Sequence, residues 1–376
     1  MRSNFKLLLL FLTITVTLHA QDLQFASLNI DDPAPPLRVN EWIKGTPVQQ
    51  FEKGRVYVIE FWATWCRPCL ASMPDLSVLA REYKEKVTVI AIDIHENKVQ
   101  PVKSNKKVKA FVDSMGNRMD FNVAIEDSNF TVADWIEATG EQNNGIPKTF
   151  VIDENGRLAW IGHPSKLEEV LPKVVNGTWD IEETLTRRNE NKRLAILDDS
   201  LHYELARFER NPYNTNDIDK PDSALLMIDE IVRKEPGLKY APWIATHTFY
   251  ALLRTDPHKA YEYGKKEIVT PGYDSVRADV IINGIELYPD KSNLPSEIYE
   301  LGAEAYQVEI NQIRHPAIIN TPRLYSNMSE MYWLAKNKSK AIETIQKAIE
   351  TLKSRKDFSK KDMASFESRL QEYETM

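Results

Sequence analysis

The chain holds two cysteines in 376 residues, and they stand three positions apart in Trp65-Cys66-Arg67-Pro68-Cys69. A disulfide across so short a loop removes little chain entropy, because the stabilisation from closing a loop grows with loop length. Spending both cysteines there points to chemistry rather than to a staple. The flanking residues place the pair. Val56 to Trp62 is β-branched and aromatic with little alternation, as in a strand buried on both faces. From Leu70 to Glu85, Met73, Leu76, Leu79 and Ala80 recur at helical spacing. The pair therefore closes a strand and opens a helix. At a helix N-terminus, unpaired N–H groups and the dipole favour a thiolate over a thiol. Cys66, expected in the first turn, is the nucleophile of a disulfide exchange, and Cys69 resolves the mixed disulfide. Arg67 adds positive charge, and Pro68 suits an early helical position.

Further strands are expected at Val87–Ile94 and Thr149–Ile152. The latter leads through the turn Asp153-Glu154-Asn155-Gly156 into a hairpin partner, Arg157–Gly162. Residues 22–36, punctuated by Asp32-Pro33-Ala34-Pro35-Pro36, form a non-helical lead-in. Helices are expected around Val108–Met115, Phe130–Thr139 and Ser165–Asn176, after a polar, Lys-rich stretch at 95–109. Strands alternating with helices and a final hairpin describe an α/β domain with a mixed central sheet flanked by helices, over residues 21–177. Residues 178–210 read as a charged helical connector. From 211 to 376, beyond the break at Pro212-Tyr213-Asn214-Thr215-Asn216, the pattern is helix, short break, helix, without a convincing strand. Tyr325-x2-Met328-Ser329-x2-Tyr332, then Ala341-x3-Ile345 and Ala348, resembles a tetratricopeptide unit, with small residues where two helices approach closely. Trp243/Tyr250 and Tyr299/Tyr306 repeat the seven-residue spacing but match poorly, and His315-Pro316 interrupts one of them. The all-α domain is thus similar to tetratricopeptide repeats in part and degenerate elsewhere.

A net charge of −7 gives no electrostatic footprint for phosphate, which argues against a nucleic-acid role. A zinc site lacks a second cysteine pair, and the seven histidines are scattered, so no metal is expected. A peroxidase needs one activated cysteine, whereas this pair is arranged to resolve itself. Arg2 and Lys6, the apolar stretch Leu7–Leu18, and Ala20 before Gln21 read as an export signal over residues 1–20. The expected location is the periplasm, soluble after cleavage. A retained N-terminal anchor is the alternative.

Glu60-Phe61-Trp62-Ala63-Thr64-Trp65-Cys66-Arg67-Pro68-Cys69 resembles the active-site segment of thioredoxins, particularly the exported TlpA/ResA-like branch. Gly145-Ile146-Pro147-Lys148-Thr149-Phe150 resembles that family's second signature, and Pro74 its helix-kinking proline. The similarity covers roughly residues 30–176. It implies a thioredoxin-like fold and a thiol:disulfide oxidoreductase whose only redox group is the Cys66–Cys69 disulfide. Pro147 would be cis and shape the groove for partner polypeptide. Ile146 would offer backbone for pairing, and Trp65 an apolar contact surface beside Arg67 and Pro68. Glu60 would be the buried carboxylate that handles the Cys69 proton, with the raised pKa that burial gives. Two positions depart from the pattern: Ser72 stands where many relatives have an acid, and the usual lysine partner of the carboxylate is replaced near Ala91. Lys148 reads as a solvated strand-edge charge. The implied partners are exported protein thiols and disulfides, a membrane electron donor, and a peptide or protein held by the helical domain. The reading is a reductase of exported clients. Oxidase or isomerase directions, or a module that docks one client, are the alternatives.

Overall fold

The computed structural model describes residues 27–94, 101–126, 130–140, 145–209, 219–269, 271–272, 275–276, 278–311, 321–355 and 359–375. The segment 1–20, the break at 212–216 and His315-Pro316 lie outside the described residues. The chain divides into two compact units, residues 1–185 and 186–376.

In the first unit six strands form one sheet. They are β1 (Glu41–Lys44), β2 (Val56–Trp62), β3 (Val87–Asp93), β4 (Asn122–Ile125), β5 (Lys148–Ile152) and β6 (Leu158–Gly162), in the order β1-β4-β3-β2-β5-β6. β2 pairs in parallel with β3 and antiparallel with β5, so the sheet is mixed and β2 is central. All seven residues of β2 are buried, which explains why the strand lacks an apolar–polar alternation: both faces are covered. On one face Val56, Val58 and Trp62 pack with Cys69, Met73 and Leu76 of α1 (Arg67–Glu82). Val108 and Val112 of α2 (Pro101–Met115) and Leu167 and Leu171 of α3 (Leu167–Val175) complete this layer. On the other face Tyr57, Ile59 and Phe61 pack with Ile90, Ile92, Trp135 and Phe150. The segment expected as a helix over Phe130–Thr139 is a π turn, Val132–Ile136, followed by a 3₁₀ turn, Glu137–Thr139. It carries Trp135, whose ring meets Phe150 edge-on at 5.2 Å between centroids.

The β5–β6 turn is built as its residues dictate. Asp153 Oδ1 accepts the Asn155 and Arg157 amides at 2.9 Å each, and Gly156 takes φ +80°. The proline-rich lead-in runs along β6. Asp31 N donates to Leu158 O, Leu158 N to Asp32 O, and Ala34 N to Gly156 O. An otherwise open sheet edge is thereby covered. Near the end of β6 the Trp160 ring lies over Gly162, and a Cβ there would sit 2.3 Å from Trp160 Cζ2.

A 25-residue helix, α4 (Ile181–Leu205), crosses the division of the chain. Ile181 and Leu185 belong to the apolar layers of the first unit, while Leu194 and Leu205 belong to a core of the second. The second unit continues with α5 (Pro221–Lys234), α6 (Pro242–Thr255), α7 (Pro257–Val269), α8 (Ala278–Glu286), α9 (Ser296–Asn311), α10 (Thr321–Leu334), α11 (Lys338–Lys353) and α12 (Lys360–Thr375). The sequence suggests no strand there, yet Pro271–Gly272 and Ser275–Val276 pair as a minimal antiparallel ribbon. Ribbons of that length carry no hydrophobic alternation to read. Ser329, Ala341, Ile345 and Ala348 are fully buried where α10 and α11 pack. Lys291 Nζ binds Glu286 at 2.7 Å and Glu330 at 2.9 Å, and Arg369 reaches the same Glu330 at 3.2 Å, tying α8, α10 and α12. No helix among the described residues is long and apolar enough to cross a membrane.

Gly162→Ala is expected to destabilise the protein by about 1–3 kcal/mol, because the buried Trp160 ring must be displaced from a packed layer. Urea unfolding would measure it, and an unchanged midpoint would contradict the packing described here.

Candidate active site

The chain leaves the sheet at Trp62, turns through Ala63-Thr64-Trp65, and enters α1. Cys66 is the N-cap residue rather than a member of the first turn: its φ and ψ are −77° and 92°, and its sulfur accepts the Cys69 amide at 3.3 Å. Cap geometry is set by backbone dihedrals, which the CxxC spacing leaves open. Arg67 and Pro68 occupy the first two helical positions and are exposed, as is Trp65 at 58%. Cys66 and Cys69 are joined by a disulfide, with Cα atoms 5.3 Å apart. Cys66 is 3% exposed as a residue and Cys69 is sealed at 0%. When the bond opens, charge on Cys66 Sγ would sit against the cap amide and the positive end of the helix dipole.

Opposite the pair, the Ile146–Pro147 peptide bond is cis, and the Ile146 carbonyl oxygen lies 3.6 Å from Cys66 Sγ. This brings the Gly145–Phe150 segment to the disulfide across 80 residues of sequence. Ser72 satisfies itself within the helix, its hydroxyl donating to the Cys69 carbonyl at 2.9 Å.

Glu60 is 0% exposed, as the buried carboxylate implied by the resemblance requires. It lies on β2 between Val58 and Trp62, and the period of two turns it toward the layer that contains Cys66 and Cys69. Directly opposite, in register, are Ala91 on β3 and Thr149 on β5. Thr149 Oγ1 donates to Glu60 Oε2, while Glu60 Oε1 has no hydrogen-bond partner among the described residues. Burial pushes the carboxyl up to about 8, against a smaller lowering by the Thr149 hydroxyl. Burial therefore favours the neutral acid form of Glu60.

Sequence reasoning missed Thr149. Its type gives no signal, and only the β2–β5 register makes it the partner of Glu60. It also misplaced Lys148, which is 5% exposed rather than a solvated edge charge. β5 lies inside the sheet between β2 and β6, and Lys148 pairs with Phe61. Its charge, together with burial as the larger cause, holds His163 below the ordinary histidine range. Two further buried carboxylates, Asp93 and Glu126, stand at the carboxyl ends of β3 and β4, with Glu126 N donating to Asp93 O at 3.0 Å. No group of side chains among the described residues is arranged to hold a metal ion.

A strand-to-helix CxxC disulfide facing a cis-proline on a mixed sheet defines a thioredoxin-like domain. Residues 30–161 match the AhpC/TSA family, and the chain belongs to this thioredoxin-like family. It is 32% identical over 155 residues to Protein FixW of Rhizobium leguminosarum, which spans 41% of this chain and 69% of that protein. It is 34% identical over 127 residues to the Thiol-disulfide oxidoreductase ResA of Bacillus anthracis, covering 32% of this chain and 65% of ResA. The Thioredoxin-like protein YneN of Bacillus subtilis is 34% identical over 107 residues, covering 28% of this chain and 55% of YneN. These alignments span between about half and two thirds of the relatives' own lengths. Among solved structures, a putative Thiol:disulfide interchange protein DsbE from Chlorobium tepidum aligns at 21% identity and a TM-score of 0.30, covering 41% of this chain and 99% of that one. That score adds nothing to the assignment. The domain is a thioredoxin-like thiol:disulfide oxidoreductase.

Because Glu60 keeps its proton up to about pH 8 when folded, against an ordinary value of 4.5, the unfolded chain binds fewer protons between those values. Its contribution is full below about pH 4.5 and is lost as pH rises through the folded value, at about 1.4 kcal/mol per pH unit. Relative to Glu60→Gln, which stays neutral, the wild-type oxidised protein should lose stability with that slope from pH 5 to 8. Urea titrations across the range test this. A flat difference would mean that Glu60 is ionised in the fold.

Proposed function

We propose that the chain is an exported reductase of client-protein disulfides, working through Cys66 and Cys69. The observation that carries this reading is the geometry of the pair: Cys66 Sγ caps α1 beside the Ile146 carbonyl, and Cys69 is sealed behind it. In the reduced protein the Cys66 thiolate attacks a client disulfide. The client S–S bond breaks, a Cys66–client bond forms, and one client thiolate leaves. Cys69 gives its proton to the Glu60 carboxylate and attacks Cys66 Sγ. The Cys66–Cys69 bond re-forms, and the second client sulfur leaves as a thiolate that takes a proton from solvent. Two electrons pass from the dithiol to the client.

In this reading Ile146 and Pro147 offer a backbone edge to the client, and the exposed Trp65, Arg67 and Pro68 contact it beside the reacting sulfur. Thiol chemistry is assigned to residues 21–177, followed by the helical connector 178–210. Client docking is assigned to 211–376, whose resemblance to tetratricopeptide units would suit a peptide or protein partner. Export to the periplasm rests on the signal-like residues 1–20, and the electron donor on a membrane dithiol that the chain does not encode. The Arg67-Pro68 dipeptide resembles reducing rather than oxidising relatives, which favours the reductase direction over an oxidase or isomerase.

The reduction potential of the pair, measured against glutathione buffers, is expected near or below about −230 mV. A value near −120 mV would reverse the direction, and failure to titrate would remove the redox reading. Cys69→Ala is expected to accumulate mixed disulfides with clients, and Cys66→Ala to form none. Non-reducing gels separate these outcomes. Equal trapping by both variants would contradict the assigned order of attack.

A further inference from the structure

Four residues form a row across adjacent strands. Ala91 on β3, Glu60 on β2, Thr149 on β5 and Gly162 on β6 stand opposite one another in register. The row lies on the face that carries Cys66 and Cys69, since Ala91 belongs to that layer and Thr149 alternates with Val151, which does too. Small residues flank the Glu60–Thr149 pair on both sides. The Trp160 ring fills the space over Gly162, beside Thr149. The pair is thus shut off from bulk solvent, with Glu60 and Thr149 both fully buried.

In that setting the two carboxyl oxygens of Glu60 are not equivalent. Oε2 accepts the Thr149 hydroxyl, while Oε1 has no hydrogen-bond partner among the described residues. In a neutral carboxylic acid the carbonyl oxygen is the better acceptor, and the other oxygen carries the proton. A threonine donor on Oε2 therefore places the acid proton on Oε1. An unused buried donor is costly unless an acceptor arrives, and opening the disulfide creates one, the Cys69 thiolate, in the same layer.

We propose that Thr149 is a positioning residue for proton exchange between Glu60 and Cys69, its hydroxyl fixing the carboxyl through Oε2 so that Oε1 gives and receives the proton. This rests on the disulfide-exchange reading of the site. In the recharging half-reaction the thiolate of a dithiol donor attacks Cys66 Sγ, and the electron pair of the Cys66–Cys69 bond goes to Cys69. Cys69 Sγ takes the proton from Glu60 Oε1. The donor's second thiolate then attacks its own first sulfur, closing the donor disulfide and releasing Cys66 as thiolate. In the client half-reaction the same proton returns from Cys69 to Glu60 as Cys69 attacks Cys66. One proton shuttles, and two electrons move from donor to client. Thr149 makes no bond to any reacting sulfur; it acts through Glu60.

The hydroxyl also favours the carboxylate, so its removal has a defined sign. The test uses the full mature chain, with oxidised glutathione as the disulfide substrate and dithiothreitol as the dithiol. Rates of both half-reactions are followed from pH 5 to 10 for wild type, Thr149→Val and Thr149→Ser. In Thr149→Val the inflection due to Glu60 should move to higher pH, and resolution by Cys69 at pH 7 should slow by about tenfold or more, on the scale of general acid–base effects. Thr149→Ser, which keeps the donor, should restore the wild-type profile. Glu60→Gln should abolish the inflection and so identify it. Should Thr149→Val not fold, Thr149→Ala supplies a second hydroxyl-free variant with the same expected shift.

An unshifted profile in a folded hydroxyl-free variant would overturn the proposal. So would a Thr149→Ser protein as slow as Thr149→Val, which would mean that the side chain matters for packing alone. A wild-type protein that exchanges with neither reagent would instead remove the underlying redox reading, an outcome distinct from both.

Discussion

Burial of Val56–Trp62 on both faces requires every side chain of β2 to find a partner inside the protein, and Glu60 is the residue for which that demand is hardest. A carboxyl in such a place can remain only if it is neutral or hydrogen-bonded. The chain meets the requirement with one donor from the neighbouring antiparallel strand and with a proton retained well above the usual carboxylate range. The strand that imposes this burial also ends at the turn into α1, so the buried acid and the disulfide share one apolar layer. The buried acid and the disulfide thus owe their common setting to a single central strand.

The rest of the first unit keeps that layer dry and in register. α1, α2 and α3 cover one face, and the aromatic group around Trp135 covers the other. The lead-in along β6 covers one edge, and β1, antiparallel to β4, forms the other. At the Cys66 end Trp65, Arg67 and Pro68 meet solvent. Cys66 stands at the start of α1 with Cys69 fully buried behind it, the arrangement on which the proposed order of attack rests.

The second unit obeys different physics. Its helices bury small residues where they cross, and charged side chains such as Lys291, Glu330 and Arg369 link helices whose apolar faces have already met. Such links fix which helix lies against which more than they add stability, since partly exposed ion pairs contribute little.

The sequence by itself determined the elements with strong local signals. The unalternating run of β2 announced a strand covered on both sides, the apolar spacing after Cys69 announced α1, and Asp153-Glu154-Asn155-Gly156 announced its turn, because period and turn chemistry are local properties. The Cys66–Cys69 pair was legible for the same reason, whereas the buried Glu60 and the cis Pro147 came from the resemblance of the flanking segments. What only the tertiary structure decided were pairings across the sheet. Thr149 is the donor to Glu60 because β5 runs antiparallel to β2 in one register, and a shift by one residue would have turned it to the other face. Lys148 is buried for that reason too, as its strand is interior and not an edge. The helical segment around Trp135 was expected, but its π and 3₁₀ winding was not, and the two-residue ribbon after α7 escaped the sequence because so short a segment has no period to read.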